Sequence, residues 1–488
     1  MNNQASDARS LRQKVISALL WSAAQSWGSK LVGLLIFMVL ARLLRPDELG
    51  TFEATLLVIG FVGMFIDQGL SEAVVQRPEI GSGQLNAVFL INMVMAIAIT
   101  TGLLAGATPV AGLLGVPEAA PVICALSMGI PLTGMVFCQW ALHRRNFNYR
   151  WLTVSGWTAT LVSGIAAIVL AHQGFGVWSL VAQSLISNSV TVGMLWYGSR
   201  WRFSWEFDFA GVREMVHYGL ARLGSTLLDF AGTKFIAILV ATTLGPAALG
   251  LYAVGNRIYT ALMQLLSAAV LDVAHNSFSR LAGDEAALTE AYYKAITVTS
   301  AAAVPVFVMT GALAPELTIW LFGAQWAESA NVMRPLALLG AVQVMQFYNG
   351  TIGNAIGKPW IWLRLQLIRT VVVISVLLYV SGVGLDRMIW WFVGLHLAVT
   401  PLSFWLVNRV AGISIFRIAR RTWPFLLGSG LMYATVAFSR PGLERLGCAV
   451  SLQAVSLSLA GGGAYGFVIL LFAREPVRAI LRLFRRHE

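Results

Sequence analysis

Residues 40–52, LARLLRPDELGTF, and residues 240–252, VATTLGPAALGLY, carry one short pattern twice at an offset of 200 positions. In that register Ala41 meets Ala241, Leu44 meets Leu244, Pro46 meets Pro246, Leu49 meets Leu249, Gly50 meets Gly250 and Phe52 meets Tyr252. Each copy lies between two apolar stretches, so its proline is expected to open a helix straight after a turn, where its missing N–H costs nothing. A proline and a glycine kept in register within the same hairpin context predict two homologous helical bundles.

The solvent of those bundles follows from composition. The 488 residues are 57% hydrophobic and 11% charged, against about 25% charged in a soluble domain, and the mean hydropathy is +0.73. An all-α integral membrane protein is expected. Apolar stretches of about 20 residues, long enough to cross ~30 Å of hydrocarbon as a helix, number ~14. They centre near Lys30, Gly60, Met95, Gly129, Leu161, Gln183, Phe230, Leu262, Val304, Ala341, Ile374, His396, Leu431 and Gly461. About six spans per copy form two lobes in pseudo-symmetric repeat, parallel because an even number returns the chain to its starting side, and a C-terminal helix pair is left over. The expected boundaries are 1–198 for the first lobe, 199–216 for a linker, 217–410 for the second lobe, 411–474 for helices 13 and 14, and 475–488 for a tail. The linker SRWRFSWEFDFAGVRE (199–214) alternates aromatics with charges and suits a membrane interface. In the tail, Val477, Ile480, Leu481 and Phe484 follow helical spacing opposite Arg478, Arg482 and Arg485, the pattern of a surface-lying helix.

Basic residues set the orientation, because Lys and Arg accumulate in short cytoplasmic loops. One set of loops holds Arg9, Arg12, Lys14, Arg77, Arg144, Arg145, Arg150, Arg200, Arg202, Arg213, Arg280, Lys294, Lys358, Arg364, Arg409, Arg417, Arg420 and Arg421, followed by the arginines of the tail. The other set holds Arg42, Arg45, Arg387, Arg440 and Arg445. Both termini are expected on the cytoplasmic side, and the net charge of +12 reads as topology plus attraction to anionic lipid, with no nucleic-acid partner implied. The N-terminus lacks a small-residue cleavage site, so the first span is expected to be retained. Cys124, Cys138 and Cys448 share no CxxC spacing, which argues against a structural disulfide or a metal site.

Polar residues inside spans carry the functional signal, since a charge at a helix centre costs roughly 2.5–3.5 kcal/mol on insertion scales. In the first span Ser22, Gln25, Ser26, Ser29, Lys30 and Gly33 share one helical face. The seventh span carries Tyr218, Arg222, Ser225, Asp229 and Thr233 on one stripe with Lys234 beside it, and the eighth adds Arg257, Thr260 and Gln264. Lys30, Arg222, Lys234 and Arg257 outnumber the nearby carboxylate Asp229, and a surplus of interior positive charge calls for an anion. The bland alternative is that Asp229 neutralises one cation and the hydroxyls are packing surfaces. Glu53 and Asp67 sit near opposite ends of the second span, where interfacial solvation accounts for them as well as gating or ion coupling does. Arg334 and Arg369 are expected to snorkel from span ends, and His396 to be a packing histidine.

No Walker loop, HExxH, GxSxG or paired metal ligands occur, and no soluble segment is long enough for a catalytic domain. A non-enzymatic chain with no cofactor is expected, and transport is the simplest account.

LARLLRPDELGTFEA (40–54) followed by FIDQGLSEAVVQR (65–77), with APELTIWLFGAQWAESANVMRPLALLG (314–340) and GNAIGKPWIWLRLQL (353–367), resembles the oligosaccharide flippases of the multidrug, oligosaccharidyl-lipid and polysaccharide exporter superfamily, in particular its lipopolysaccharide and exopolysaccharide branch. The resemblance covers about Ile16 to Arg409. It implies a bacterial inner-membrane flippase with two six-helix lobes around a central cavity. Such a protein moves undecaprenyl-diphosphate-linked oligosaccharide from the cytoplasmic to the periplasmic leaflet, among membrane lipids and alongside other polysaccharide-assembly proteins. A lipid pyrophosphate is an anion that Lys and Arg bind through charge-assisted hydrogen bonds. Substrate contacts are therefore expected at Lys30, Arg222, Lys234 and Arg257. A polar lining is expected at Ser22, Gln25, Ser26, Ser29, Ser225, Thr260 and Gln264, with Glu53, Asp67 and Asp229 as candidates for coupling or gating. The cations are not matched between the repeats, since Lys30 aligns with Phe230 and Lys234 with Leu34. A drug or cation antiporter of the same superfamily, whose cavity should be rich in carboxylates, and a membrane glycan polymerase or ligase remain as alternatives.

Overall fold

The computed structural model describes residues 28–473 apart from Gln68, Pro78, Glu79 and Ala282. The described residues are helical and contain no β-strand. The amphipathic tail over 475–488 falls outside them, as do Ser22, Gln25 and Ser26 of the first span.

The chain forms two compact units, Met1–Gly250 and Leu251–Glu488. In the first, α1 is described over 28–43, followed by α2 (Pro46–Asp67), α3 (Leu70–Gln76), α4 (Ser82–Leu113), α5 (Ala120–Ser127), α6 (Ile130–Arg145), α7 (Tyr149–His172) and α8 (Val177–Gly198). Helix α9 (Phe209–Arg280) continues past the division between the units. The second unit adds α10 (Glu285–Ala312), α11 (Ala314–Phe322), α12 (Ala330–Gln343), α13 (Phe347–Ala355), α14 (Pro359–Tyr379), α15 (Leu385–Ala411), α16 (Ile415–Arg445) and α17 (Val450–Phe472).

Each expected span centre falls within one of these helices or at a bend between two. Gly129 marks the join of α5 and α6, which meet at 44°. The centres near Phe230 and Leu262 share α9, whose backbone breaks at Gly245 with φ 79°. A positive φ there requires glycine, and Pro246 restarts the helix as Pro46 starts α2. Among the described residues eight helices meet the length and hydropathy of a span on their own, or nine with the bent pair.

The repeated pattern also produces a contact. A β-carbon at Gly50 would overlap the Pro246 carbonyl, and one at Gly250 would overlap the Pro46 carbonyl. The two copies meet backbone to backbone, each glycine seated on the other copy's proline. Beside this contact Phe61 and Phe230 pack at 5.8 Å between ring centres.

In the first unit α4 and α6 enclose a core of Leu70, Val74, Val88, Phe89, Cys138 and Ala141. The linker crosses its edge without regular secondary structure. Asn86 of α4 donates to Ser204 Oγ (2.8 Å) and to the Glu206 carbonyl (2.9 Å), and the Asp208 N–H donates to the Gly83 carbonyl (3.1 Å). Phe203 packs on Phe89 and Trp201 on Trp196, while Trp205 stays 80% exposed. Trp201, Phe203 and Phe207 are half-buried while Arg202, Glu206 and Asp208 are exposed, and Trp205 departs from that alternation by facing outward.

In the second unit α16 and α17 pair, and α16 packs along α10. Two ion pairs fix it. Arg421 grips Glu290 of α10 through two bonds (3.0 and 2.9 Å), and Arg440 reaches Glu316 of α11 at 2.6 Å while also donating to the Ala312 carbonyl. Glu316 is 4% exposed.

Candidate functional site

The polar stripe of α1 divides in the structure. Gly28 is where Trp157 of α7 comes close, since a β-carbon there would lie 2.6 Å from the indole. Ser29 Oγ is buried and has no hydrogen-bond partner among the described residues. Lys30 is half-buried, and the space beside Gly33 is open. The stripe therefore has a packed edge and an open edge, with the lysine toward the open one.

Along α9, Ser225, Asp229, Thr233 and Lys234 are all exposed, whereas Ile236, Ala237 and Val240 are buried. Positions i, i+4 and i+8 form one stripe, so Ser225, Asp229 and Thr233 share a face. A polar face exposed on a membrane helix is costly against lipid and favourable against water. Thr233 returns its hydroxyl to the Asp229 carbonyl at 2.7 Å. The backbone of Arg222 belongs to the same helix, and its side chain lies outside the described set. Beyond the Gly245 break, Arg257 and Gln264 are exposed and Thr260 is half-buried. Ser225, Asp229 and Arg257 each engage a neighbouring group. Lys30 and Lys234 belong to the first unit and Arg257 to the second.

Arg369 departs from the sequence reading. It lies ten residues from either end of α14 (Pro359–Tyr379), roughly 15 Å along the axis each way, too deep for a snorkelling guanidinium at a span end. It is in electrostatic contact with Tyr259 of α9 and His396 of α15, and no carboxylate pairs with it among the described residues. Tyr259 donates its hydroxyl to Gln343 of α12 at 2.5 Å. His396 donates from Nδ1 to the Phe392 carbonyl at 2.9 Å and packs against the Phe392 ring at a 50° tilt, the packing role expected from the sequence. The guanidinium retains donors that neither Tyr259, already engaged, nor His396 consumes.

The deeper polar network of the second unit has its partners in place. Tyr292 donates to Asn349, Asn349 donates to Ser403 at 2.8 Å, Thr299 bonds Tyr348, and the Tyr293 hydroxyl accepts from the Ser414 N–H. A satisfied network specifies packing, and its contrast with Arg369 separates scaffold from candidate site.

Glu53 is half-buried within α2 and engages a neighbour. Asp67 ends α2, but α3 carries the chain two turns further and packs on α6, so the carboxylate is not an end-of-span group at the surface.

Residues 39–331 match the family described as "Polysaccharide biosynthesis protein". The chain is 27% identical over 476 residues to a succinoglycan biosynthesis transport protein of Rhizobium meliloti (strain 1021), spanning 95% of this chain and 94% of that one. It is 22% identical over 353 residues to a lipopolysaccharide biosynthesis protein of Escherichia coli (strain K12), spanning 72% and 70%. Among solved structures, the lipid II flippase MurJ in its inward closed conformation superposes with a TM-score of 0.72 at 13% identity, over 94% of this chain and 100% of that one. An inward-facing multidrug transporter of the MATE family gives 0.60 at 16% identity, over 79% and 94%.

Proposed function

The chain belongs to the polysaccharide biosynthesis protein family, and from that premise we propose that it flips undecaprenyl-diphosphate-linked oligosaccharide from the cytoplasmic to the periplasmic leaflet of a bacterial inner membrane. It is a multi-pass membrane protein similar to a succinoglycan biosynthesis transport protein, and both termini face the cytoplasm in this reading. The observation that carries the substrate class is Arg369, a guanidinium at mid-span with no carboxylate partner among the described residues. Lys30, Arg222 and Lys234 in the first unit and Arg257 in the second are further cations complementary to a diphosphate. Ser29, Ser225, Thr260 and Gln264 offer hydroxyl and amide groups to sugars, and Ser22, Gln25 and Ser26 extend that set toward the N-terminus.

Exposure of each unit's polar face to one side of the membrane and then the other would carry the headgroup across while the prenyl chain stays in lipid. Glu53, Asp67 and Asp229 are the carboxylates available to couple that change to a cation. An antiporter for cationic drugs is disfavoured by the basic character of the candidate residues.

The test is complementation of surface polysaccharide in a flippase-null strain by the wild type and by Lys30→Ala, Arg222→Ala, Arg257→Ala and Arg369→Ala at matched expression. Wild-type rescue with graded loss in the variants supports the reading. Rescue by every variant at the wild-type level overturns the cationic role.

A further inference from the structure

The turn between α6 and α7 and the end of α8 enclose a cavity that the flippase reading does not use. Its volume is about 200 Å³, and His143, Asn146, Asn148, Ser199, Arg200 and Trp201 line it. That lies below the roughly 300–1,000 Å³ of a pocket for a drug-sized ligand. It admits a phosphate with part of its ester, and no whole lipid-linked oligosaccharide.

The side chains around it offer donors. His143 Nε2 donates to the Leu195 carbonyl at 3.3 Å, so the neutral ring accepts at Nδ1 from the Asn148 amide, also at 3.3 Å. That amide keeps a second N–H. The Trp201 indole N–H is buried and has no acceptor among the described residues. Its neighbours differ, since Trp151 and Trp196 donate to the Met194 and Met135 carbonyls at 2.9 and 3.1 Å. Arg200 is exposed and brings a guanidinium, while Arg202 steadies the segment by donating to the Ser199 and Trp201 carbonyls at 2.6 and 3.1 Å. No carboxylate belongs to the lining. A cationic, donor-rich cavity suits an anion with several oxygens.

Its setting narrows the source of that anion. At the end of α6 the Phe147 N–H returns to the Arg144 carbonyl at 3.1 Å and the Asn148 N–H to the His143 carbonyl at 2.9 Å. Phe147 has φ 53° and is the one non-glycine residue at positive φ among the described residues. Helix ends of this kind favour glycine at that position, yet here a phenylalanine is held there with its side chain outward, 55% exposed. Tyr197, near the end of α8, is 82% exposed. Exposed aromatic rings beside basic residues mark the depth of lipid headgroups. A solvated notch would account for the exposure of Arg200 and Asn146, but not for a buried indole N–H without an acceptor or for a strained, outward phenylalanine.

We propose that this cavity binds the phosphate of an anionic glycerophospholipid, with Arg200 and the Trp201 indole N–H on its oxygens and Phe147 and Tyr197 set into the membrane surface around it. Free phosphate shares the oxygen chemistry, and the outward rings favour the lipid. The site is independent of the transported substrate, and its test reads binding, so its failure is separable from failure of the flippase reading.

Thermal unfolding of the purified full chain in detergent is followed against phosphatidylglycerol, phosphatidylcholine and inorganic phosphate. Phosphatidylglycerol should raise the wild-type melting temperature saturably. Arg200→Gln and Trp201→Phe, which keeps the ring and removes the donor, should each need at least about tenfold more lipid. Arg409→Gln, an exposed arginine at the end of α15, should keep the wild-type midpoint and so separate a site from diffuse attraction. Phe147→Gly should melt no lower than the wild type without lipid and should lose part of the gain. If Trp201→Phe does not fold, Arg200→Gln decides. A wild-type midpoint in the folded cavity variants, or an equal shift in Arg409→Gln, overturns the site. An equal gain from phosphatidylcholine, or from inorganic phosphate with the same dependence on Arg200, overturns the anionic lipid as its ligand.

Discussion

Arg369 and Lys30 show what a helical face can and cannot reveal. Lys30 is legible because Ser26, Gln25 and Ser22 stand at i−4, i−5 and i−8 from it in the sequence. Arg369 sits in a helix of Leu, Ile and Val, and the groups its charge acts on, Tyr259 and His396, come from two other helices, so no window along the sequence contains them together. Arg369→Ala is expected to lower complementation at least about tenfold, the loss of a charge-assisted contact, and Arg369→Lys to recover part of it because the charge returns without the planar fork. Equal export by all three forms at equal membrane abundance would remove Arg369 from the site. Arg440 makes the opposite case. Its partner Glu316 is buried, so removing the arginine strands a carboxylate, and Arg440→Ala should lower stability by about 3–5 kcal/mol. Glu316→Leu with Arg440→Met removes both charges together and should restore most of the melting temperature in detergent. A double variant as unstable as the single one would mean that packing around the arginine stem, rather than the stranded charge, sets the loss.

At the scale of elements, the sequence revealed more than the positions of helices. The twin motifs predict two homologous helical bundles, and in the structure the motifs touch, Gly50 against Pro246 and Gly250 against Pro46. The register could be seen because proline and glycine have backbone reasons to stay put, while the surrounding leucines are interchangeable in lipid. The break between α2 and α3 was not seen, since an αL glycine two residues after an aspartate looks like any loop start. The kink at Gly245, one residue before Pro246, divides α9 between the two span centres expected near Phe230 and Leu262. The contact of the two starts sets a prediction. Gly50→Ala and Gly250→Ala each force a methyl group against a backbone carbonyl that cannot swing aside as a side chain would, so each should cost at least the ~1–3 kcal/mol of an overpacked core. Gly63→Ala in the same helix α2 meets nothing within 4 Å and should be neutral or stabilise by roughly 0.5–1 kcal/mol. Thermal unfolding of the three variants in detergent measures the difference, and equal melting temperatures would show that the close approach relaxes freely.

At the scale of the whole molecule, the charge of +12 is a statement about sides. The described connections between helices fall alternately into two classes. One class holds 146–148, 199–208, 281–284, 356–358 and 412–414, and the other holds 44–45, 114–116, 173–176, 380–384 and 446–449. Arg144, Arg145, Arg150, Arg200, Arg202, Arg280, Lys358, Arg417, Arg420 and Arg421 flank the first class, and the second has Arg42, Arg45, Arg387 and Arg445. Short loops rich in Lys and Arg stay cytoplasmic during insertion, and a negative inner leaflet then holds them there. Reporter enzymes fused within 146–148, 281–284 and 412–414 should therefore be active only in cytoplasmic form, and those within 173–176, 380–384 and 446–449 only in exported form. The outcome fixes more than topology. The exposed cations of α9 can collect a diphosphate made on the inner leaflet only if the turn at 281–284 faces the cytoplasm and the break at Gly245 faces outward. Exported activity from the 281–284 fusion would reverse the chain in the membrane, and with it the leaflet from which the proposed function has α9 receive an anion.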